Sequence, residues 1–252
     1  MGTESAVPQL PLTGERTVPG IAEENYWFRR HEAAYLALRP YCVDAFVLEA
    51  GCGEGYGADL LARDAVGVLG LDYDALTLRH VATAYPRVFA ARGNLAALPV
   101  RTSTVDVVAN FQVIEHLWDQ EGFLRECHRV LRPGSRLLVT TPNRITFSPG
   151  RDTPLNPFHT RELAPHELAD LLRDTGFDVE FLAGLRHGPR LRELDAEFGG
   201  SLIDAQVEVA VAGTAWPVDL LAAVTSVTAA DFAITTAELE SSLDIVAVAV
   251  RP

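Results

Sequence analysis

Lysine is missing altogether: all 21 basic residues of the 252-residue chain are arginine, against 34 acidic ones, for a formal net charge of -13. That absence excludes Schiff-base and other lysine-based catalysis, and it excludes a Walker-type phosphate site. The acidic balance repels phosphate backbones, so nucleic acid is not expected as a partner. Long apolar runs are absent too. Ala, Asp and Gly interrupt every candidate short of the roughly 20 residues that a membrane span requires. The opening stretch MGTESAVPQLPLTGERTVPG has neither the basic start nor the apolar run of a secretion signal. Cysteine is scarce. Cys42, Cys52 and Cys127 are odd in number and spaced neither for zinc nor for a disulfide framework, which reads as reduced thiols of a cytoplasmic protein.

What is present is ample core material, 48% hydrophobic residues with 22% charged, in a length suited to one large domain. Residues 1–42 read as a Pro-containing arm followed by a helix from Ile21 to Leu38 that Pro40 stops. That helix carries Tyr26-Trp27-Phe28 and then Arg29, Arg30 and His31; it is read as a lid over a ligand or as a core-facing stripe with solvated arginines. From 43 to 182 short apolar runs alternate with amphipathic stretches, the mark of repeated βαβ units over a parallel sheet. Strands are predicted at Ala45–Ala50, Val66–Leu71, Val88–Ala91, Val105–Asn110, Arg136–Thr141 and Phe177–Leu182. Residues 183–236 read as an insertion with a helix or two and a strand at Asp231–Thr236, and 237–252 holds the last strand, Asp244–Val250.

The sharpest motif is Glu49-Ala50-Gly51-Cys52-Gly53-Glu54-Gly55-Tyr56-Gly57, directly after an apolar strand and before a helix. Alternating glycines permit backbone angles closed to other residues and let a ligand approach the main chain, while the helix start behind them offers unpaired amides. Asp72, at the end of the second strand, is placed to accept the hydroxyls of a ribose. Gly53, Gly55 and Ala58 also satisfy the dinucleotide pattern G-x-G-x-x-A, so an NAD-dependent oxidoreductase stays open on these residues. Read as E-x-G-x-G-x-G, however, the motif puts a carboxylate where an ammonium could sit and suits a cationic nucleoside amino acid.

Five segments in register resemble the class I S-adenosylmethionine-dependent methyltransferases: Glu49 to Gly55, Asp72, Asn94-Leu95 after the third strand, Asp106 to His116 along and beyond the fourth, and Leu131-Arg132-Pro133-Gly134-Ser135-Arg136-Leu137 into the fifth. The resemblance implies a Rossmann-like fold with a mostly parallel seven-stranded sheet and helices on both faces. It also implies S-adenosylmethionine held by Glu49, Gly51, Cys52, Gly53, Asp72, Tyr73, Asn94, Leu95, Phe111 and Gln112. The flanks Leu12 to Thr17, Glu24 to His31 and Asn143 to Asp152 resemble an actinobacterial group associated with methylglucose lipopolysaccharide synthesis. That likeness implies O-methylation of a carbohydrate acceptor, with 6-O-methylation of glucose units as the expected reaction.

A sugar hydroxyl must lose its proton as it attacks, which calls for a base with a pKa near the working pH, and histidine is the first choice. His80, His128 and His166 fall in surface-type helical patterns. His116 follows the fourth strand's carboxyl end, where ligands of open α/β sheets bind, and His159 sits in the loop after the fifth; either is a candidate base. Gln112-x-x-Glu115-His116 is also similar to the E-x-x-E-H metal motif of some O-methyltransferases, which implies a Mg²⁺ site that His159 could complete. Gln112 in place of the first glutamate removes one charge from it. Trp27, Arg30, Arg144, Asn156 and His187 are the expected contacts to the acceptor.

Overall fold

The computed structural model describes residues 17–252; the arm before Thr17 lies outside the described residues. The first helix, α1 (Asn25–Leu38), starts four residues later than the sequence suggests. β1 (Phe46–Ala50), β2 (Gly67–Asp72), β3 (Val88–Arg92) and β4 (Val105–Phe111) follow, separated by α2 (Tyr56–Leu61) and α3 (Ala75–Ala84). After α4 (Gln120–Val130) come β5 (Leu131–Pro142), the single turn α5 (Arg144–Phe147) and α6 (Pro165–Asp174). β6 (Asp178–His187) runs five residues into the expected insertion, which continues as α7 (Pro189–Glu197), α8 (Leu202–Ala212), α9 (Val218–Ser226) and β7 (Phe232–Thr235); β8 (Asp244–Val250) closes the chain.

The strands form one sheet in the order β3-β2-β1-β4-β5-β8-β6-β7. The first five pair in parallel, and β8 then runs antiparallel to both β5 and β6. The sheet has eight strands rather than seven because Phe232–Thr235 pairs antiparallel with β6 at the edge. Apolar strands buried on both faces are what parallel sheets with crossover helices require. The pleat sorts them: Val246 and Val248 of β8 join the cluster under α1, α2 and α9, whereas Ile245, Ala247 and Ala249 join the one under α4 and α6.

Two features of this architecture position the site. Chain connections run in opposite directions from β1 and β4, so the carboxyl ends of those two neighbours open a crevice at the topological switch point. Across that crevice lies α1, fastened by a buried bidentate ion pair from Arg30 on α1 to Asp244 on β8, with Nε–Oδ2 at 2.7 Å and Nη2–Oδ1 at 2.5 Å. Asn25 adds hydrogen bonds from its amide to the carbonyls of Val224 and Val227, both 2.9 Å.

Candidate active site

Four strand ends and α1 enclose a cavity of about 390 Å³. Gly51, Cys52 and Gly53 come from the turn after β1, Asp72 and Tyr73 from the end of β2, Asn94 and Leu95 from beyond β3, and Phe111 and Gln112 from β4. Nine of the ten residues proposed to hold the cofactor thus line one cavity, together with Thr17, His31, Tyr35 and Tyr56. Glu49 is the tenth, and it reaches the cavity only through Tyr35. It shares a face of β1 with Val47, is 1% exposed, and accepts a 2.5 Å hydrogen bond at Oε1 from the Tyr35 hydroxyl. Burial pushes its carboxyl up to about 8, and its Oε2 has no hydrogen-bond partner.

The glycines do specific work here. Gly51 has φ +88°, and a Cβ on it would lie 2.8 Å from the Val113 methyls. Gly53 has φ +51° with nothing within 4 Å of where a Cβ would be, so its open side faces space that a ligand can enter. Its amide donates to Asp72 Oδ2 at 3.1 Å, and the amide of Asp74 donates to Oδ1 at 2.9 Å, which fixes the carboxylate's plane at the cavity edge. Gln112 has φ +57°, a strained state for a residue with a side chain. It is held there by its amide bond to the Thr140 carbonyl, 2.8 Å.

A second cavity of about 500 Å³ adjoins the first, and the two share Thr17, His31, Gln112 and His116. Trp27, Arg30, Asn156 and His159 line it, with Ile203, Asp204 and Val207 of α8 on the far side. Two expected acceptor contacts lie elsewhere. Arg144 is spent on Glu167, 3.1 Å away. His187 is wedged between the Tyr26 hydroxyl and Asp195, each 2.6 Å from a ring nitrogen. Neither lines the cavities described here. Arg30 touches the second cavity, but its guanidinium is committed to Asp244, so it acts chiefly as a fastener.

The two candidate bases stand with ring centroids 4.8 Å apart. His116 Nδ1 lies 3.1 Å from the Phe158 carbonyl; because a carbonyl only accepts, the proton is on Nδ1 and the lone pair on Nε2. His159 Nδ1 donates to Glu162 at 2.7 Å, and its Nε2 takes the Asn156 amide at 3.1 Å. The loop that carries His159 is drawn over the β4 exit by Thr160, whose amide donates to the Glu115 carbonyl at 2.7 Å. Glu115 is 1% exposed, and burial raises its carboxyl to about 8.

Candidate ligand atoms of Glu115, His116 and His159 lie within 4.8 Å of one another. One carboxylate and two imidazoles suit a borderline transition metal better than Mg²⁺, which takes oxygen donors in an octahedron. The implied Mg²⁺ site therefore fits this donor set poorly.

Comparison with known proteins agrees with this geometry. A methyltransferase-domain family profile matches residues 48–139. A probable S-adenosylmethionine-dependent methyltransferase of Mycolicibacterium smegmatis is 61% identical over 99% of this chain and 98% of its own. The chain belongs to the S-adenosylmethionine-dependent methyltransferases. A Mycobacterium tuberculosis protein of the same description is 59% identical over 96% of this chain and 90% of its own. A ubiquinone biosynthesis O-methyltransferase of Leptothrix cholodnii is 30% identical over 58% of this chain and 69% of its own. Among solved structures, an S-adenosylmethionine-dependent methyltransferase of Thermotoga maritima has a TM-score of 0.60 at 18% identity, covering 91% of this chain and 95% of that one, which speaks to the fold. The dinucleotide reading of Gly53, Gly55 and Ala58 is thereby set aside, and the methyl donor is S-adenosylmethionine.

Besides the expected Trp27, α1 supplies two cavity residues that the sequence did not single out, His31 and Tyr35. Trp27, His31 and Tyr35 are spaced by four on α1, and that face lines the two cavities. The aromatic spacing was the available signal. His31 is half-buried with its Nδ1 3.3 Å from Thr17 Oγ1, and desolvation pushes it down to about 4, so it stays neutral. His80, expected to face solvent, is largely buried and pairs with Glu54 at 2.7 Å behind the glycine turn.

Proposed function

We propose that this methyltransferase acts on a carbohydrate hydroxyl, with 6-O-methylation of glucose units as its reaction in the cytoplasm. The observation that carries the reading is His116, at the seam between the two cavities with its proton fixed on Nδ1. An Nε2 lone pair there suits removal of a proton from an attacking hydroxyl. Around it the second cavity offers what a sugar needs: the half-buried Trp27 ring for a pyranose face, with Asn156, Asp204 and Glu24 for its hydroxyls. The similarity to ubiquinone O-methyltransferases supports an oxygen acceptor. Buried Cys42, Cys52 and Cys127, which form no disulfide, support a reducing compartment, and no helix among the described residues is long and apolar enough to cross a membrane.

S-adenosylmethionine supplies a methyl group on a sulfonium, open to in-line displacement. The chain supplies the rest. Gly51 and Gly53 let the donor approach the backbone, Asp72 accepts its ribose hydroxyls, Tyr73 and Leu95 flank its base beside Asn94, and Glu49 holds the Tyr35 hydroxyl at the cavity wall. Phe111 and Gln112 shape the methionine end, and α1 excludes water above it. His116 Nε2 takes the hydroxyl proton as the oxygen attacks, while His159, held by Glu162, keeps the His116 ring in place. Positioning donor and acceptor at the seam contributes much of the rate.

Labelled S-adenosylmethionine with methyl glucoside and gluco-oligosaccharides tests the proposal. Label in a 6-O-methyl sugar is expected. Transfer to a phenol or a nitrogen acceptor with none to any sugar would overturn it.

A further inference from the structure

The second cavity does not end at its polar wall. Ile203 and Val207 of α8 line it, and one further step of four along the same helix face brings Val211. Val207 is 45% exposed and Val211 83% exposed, so an apolar strip leaves the cavity and continues across the surface. Leu155, 56% exposed, stands at the cavity rim as well. A helix whose exposed side is this apolar needs something to cover it, and a hydroxyl-rich acceptor alone would not. The charge around the strip narrows the choice. No basic residue occurs from 193 to 250, and Asp204 and Glu208 sit on α8 itself, so this helix offers an anionic headgroup or phosphate no counter-charge.

Resting on the sugar-hydroxyl reading, we infer that the acceptor carries an uncharged aliphatic chain that lies along α8 over Ile203, Val207 and Val211. Those three positions span about 12 Å at 1.5 Å per residue, the reach of roughly nine methylenes. The strip is continuous with the cavity that would hold the hydroxyl, and this singles out a substrate tail over a separate partner.

The test is a series of methyl, hexyl, octyl and decyl glucosides, each below its micellar concentration, with wild type and Val211→Asp. Val211 is exposed, so the variant should fold; Val211→Ala serves as a milder check. In wild type kcat/KM should rise about two- to four-fold per methylene, and V211D should bring the octyl-to-methyl ratio down toward one. Equal efficiency at every chain length overturns the inference and leaves sugar methylation standing. If no glucoside is turned over, calorimetry on protein loaded with S-adenosylhomocysteine separates the two claims. Binding that tightens with chain length and weakens in V211D supports the tail site and overturns the sugar-hydroxyl reading. Absent or chain-length-independent binding overturns the tail site too. A wild-type dimer that V211D dissociates, without chain-length dependence, assigns the strip to a second copy of the chain and overturns the inference.

Discussion

Glu49→Gln separates what the first-motif carboxylate does for the fold from what it does for the cofactor. Glu49 is 1% exposed with one oxygen on the Tyr35 hydroxyl and the other unpartnered, and burial raises its pKa from 4.5 to about 8. The folded protein therefore keeps this proton through a range in which the unfolded chain has lost it. Stability consequently falls as pH rises from the unfolded value to the folded one, and the loss is complete above it. At about 1.4 kcal/mol per tenfold change in proton concentration, the folded carboxyl costs about 2 kcal/mol near pH 6 and about 5 kcal/mol near pH 9. Glutamine keeps the acceptor for Tyr35 and never ionises. Without cofactor, the stability of E49Q relative to wild type should improve by about 3 kcal/mol between those two pH values, as read from urea unfolding. Other titrating groups cancel in the difference. A difference flat across this range would refute the burial argument. In the same variant, the affinity for S-adenosylhomocysteine should stay within about threefold of wild type, because glutamine keeps Tyr35 at the cavity wall. A drop of tenfold or more would place the carboxylate itself on the cofactor's ammonium and leave the stability argument intact.

Gly53→Ala should cost about 1–2 kcal/mol of stability, the backbone cost of its positive φ, but much more in cofactor affinity; equal losses in melting and calorimetry would contradict an open ligand side. Arg30→Met strands Asp244, 2% exposed, and should destabilise by about 3–5 kcal/mol in urea, so a loss below 1 kcal/mol would deny the pair its role. His116→Ala should lower kcat by about 10²–10⁴ with little change in S-adenosylhomocysteine binding, whereas His159→Ala should cost less; the reverse order would move the base to His159. After EDTA treatment, added Mg²⁺ should change turnover by no more than about twofold, given the oxygen-poor donor set at Glu115, His116 and His159; a loss restored by Mg²⁺ would refute that.

The cofactor crevice was legible because each of its parts is a local signal: a strand, a glycine turn and a strand-terminal acid recur at fixed places in a βαβ unit. Gly51, Gly53 and Asp72, read this way, lie around one cavity, together with six further residues that the family resemblance implied. The acceptor side was not legible in the same way. Arg30 and Asp244 are 214 positions apart, and only the closed sheet shows that an arginine in an aromatic run is fastening a helix. His187 and Arg144 sit in polar, loop-rich stretches like those of binding residues, yet local acids claim both. The reach of β6 to His187 depends on pairing with β7, a cross-strand matter that no single apolar run declares, whereas β7 itself was expected at Asp231–Thr236.

The fastening of α1 bears on how the enzyme opens. Tyr26 is fully buried and donates or accepts at His187, whose other nitrogen pairs with Asp195; four residues on, Arg30 grips Asp244. Lifting this helix as a lid would strand a buried charge pair, at about 3–5 kcal/mol. Such a state would hold about one molecule in 10²–10⁴. Fixed in place, α1 is a roof that presents Trp27, His31 and Tyr35 to both ligands. Exchange of acceptor and product is then less costly past the rim between Leu155 and α8, where exposed apolar side chains already face solvent. The same strip that suits an aliphatic tail is thus the way in that leaves the ion pair intact.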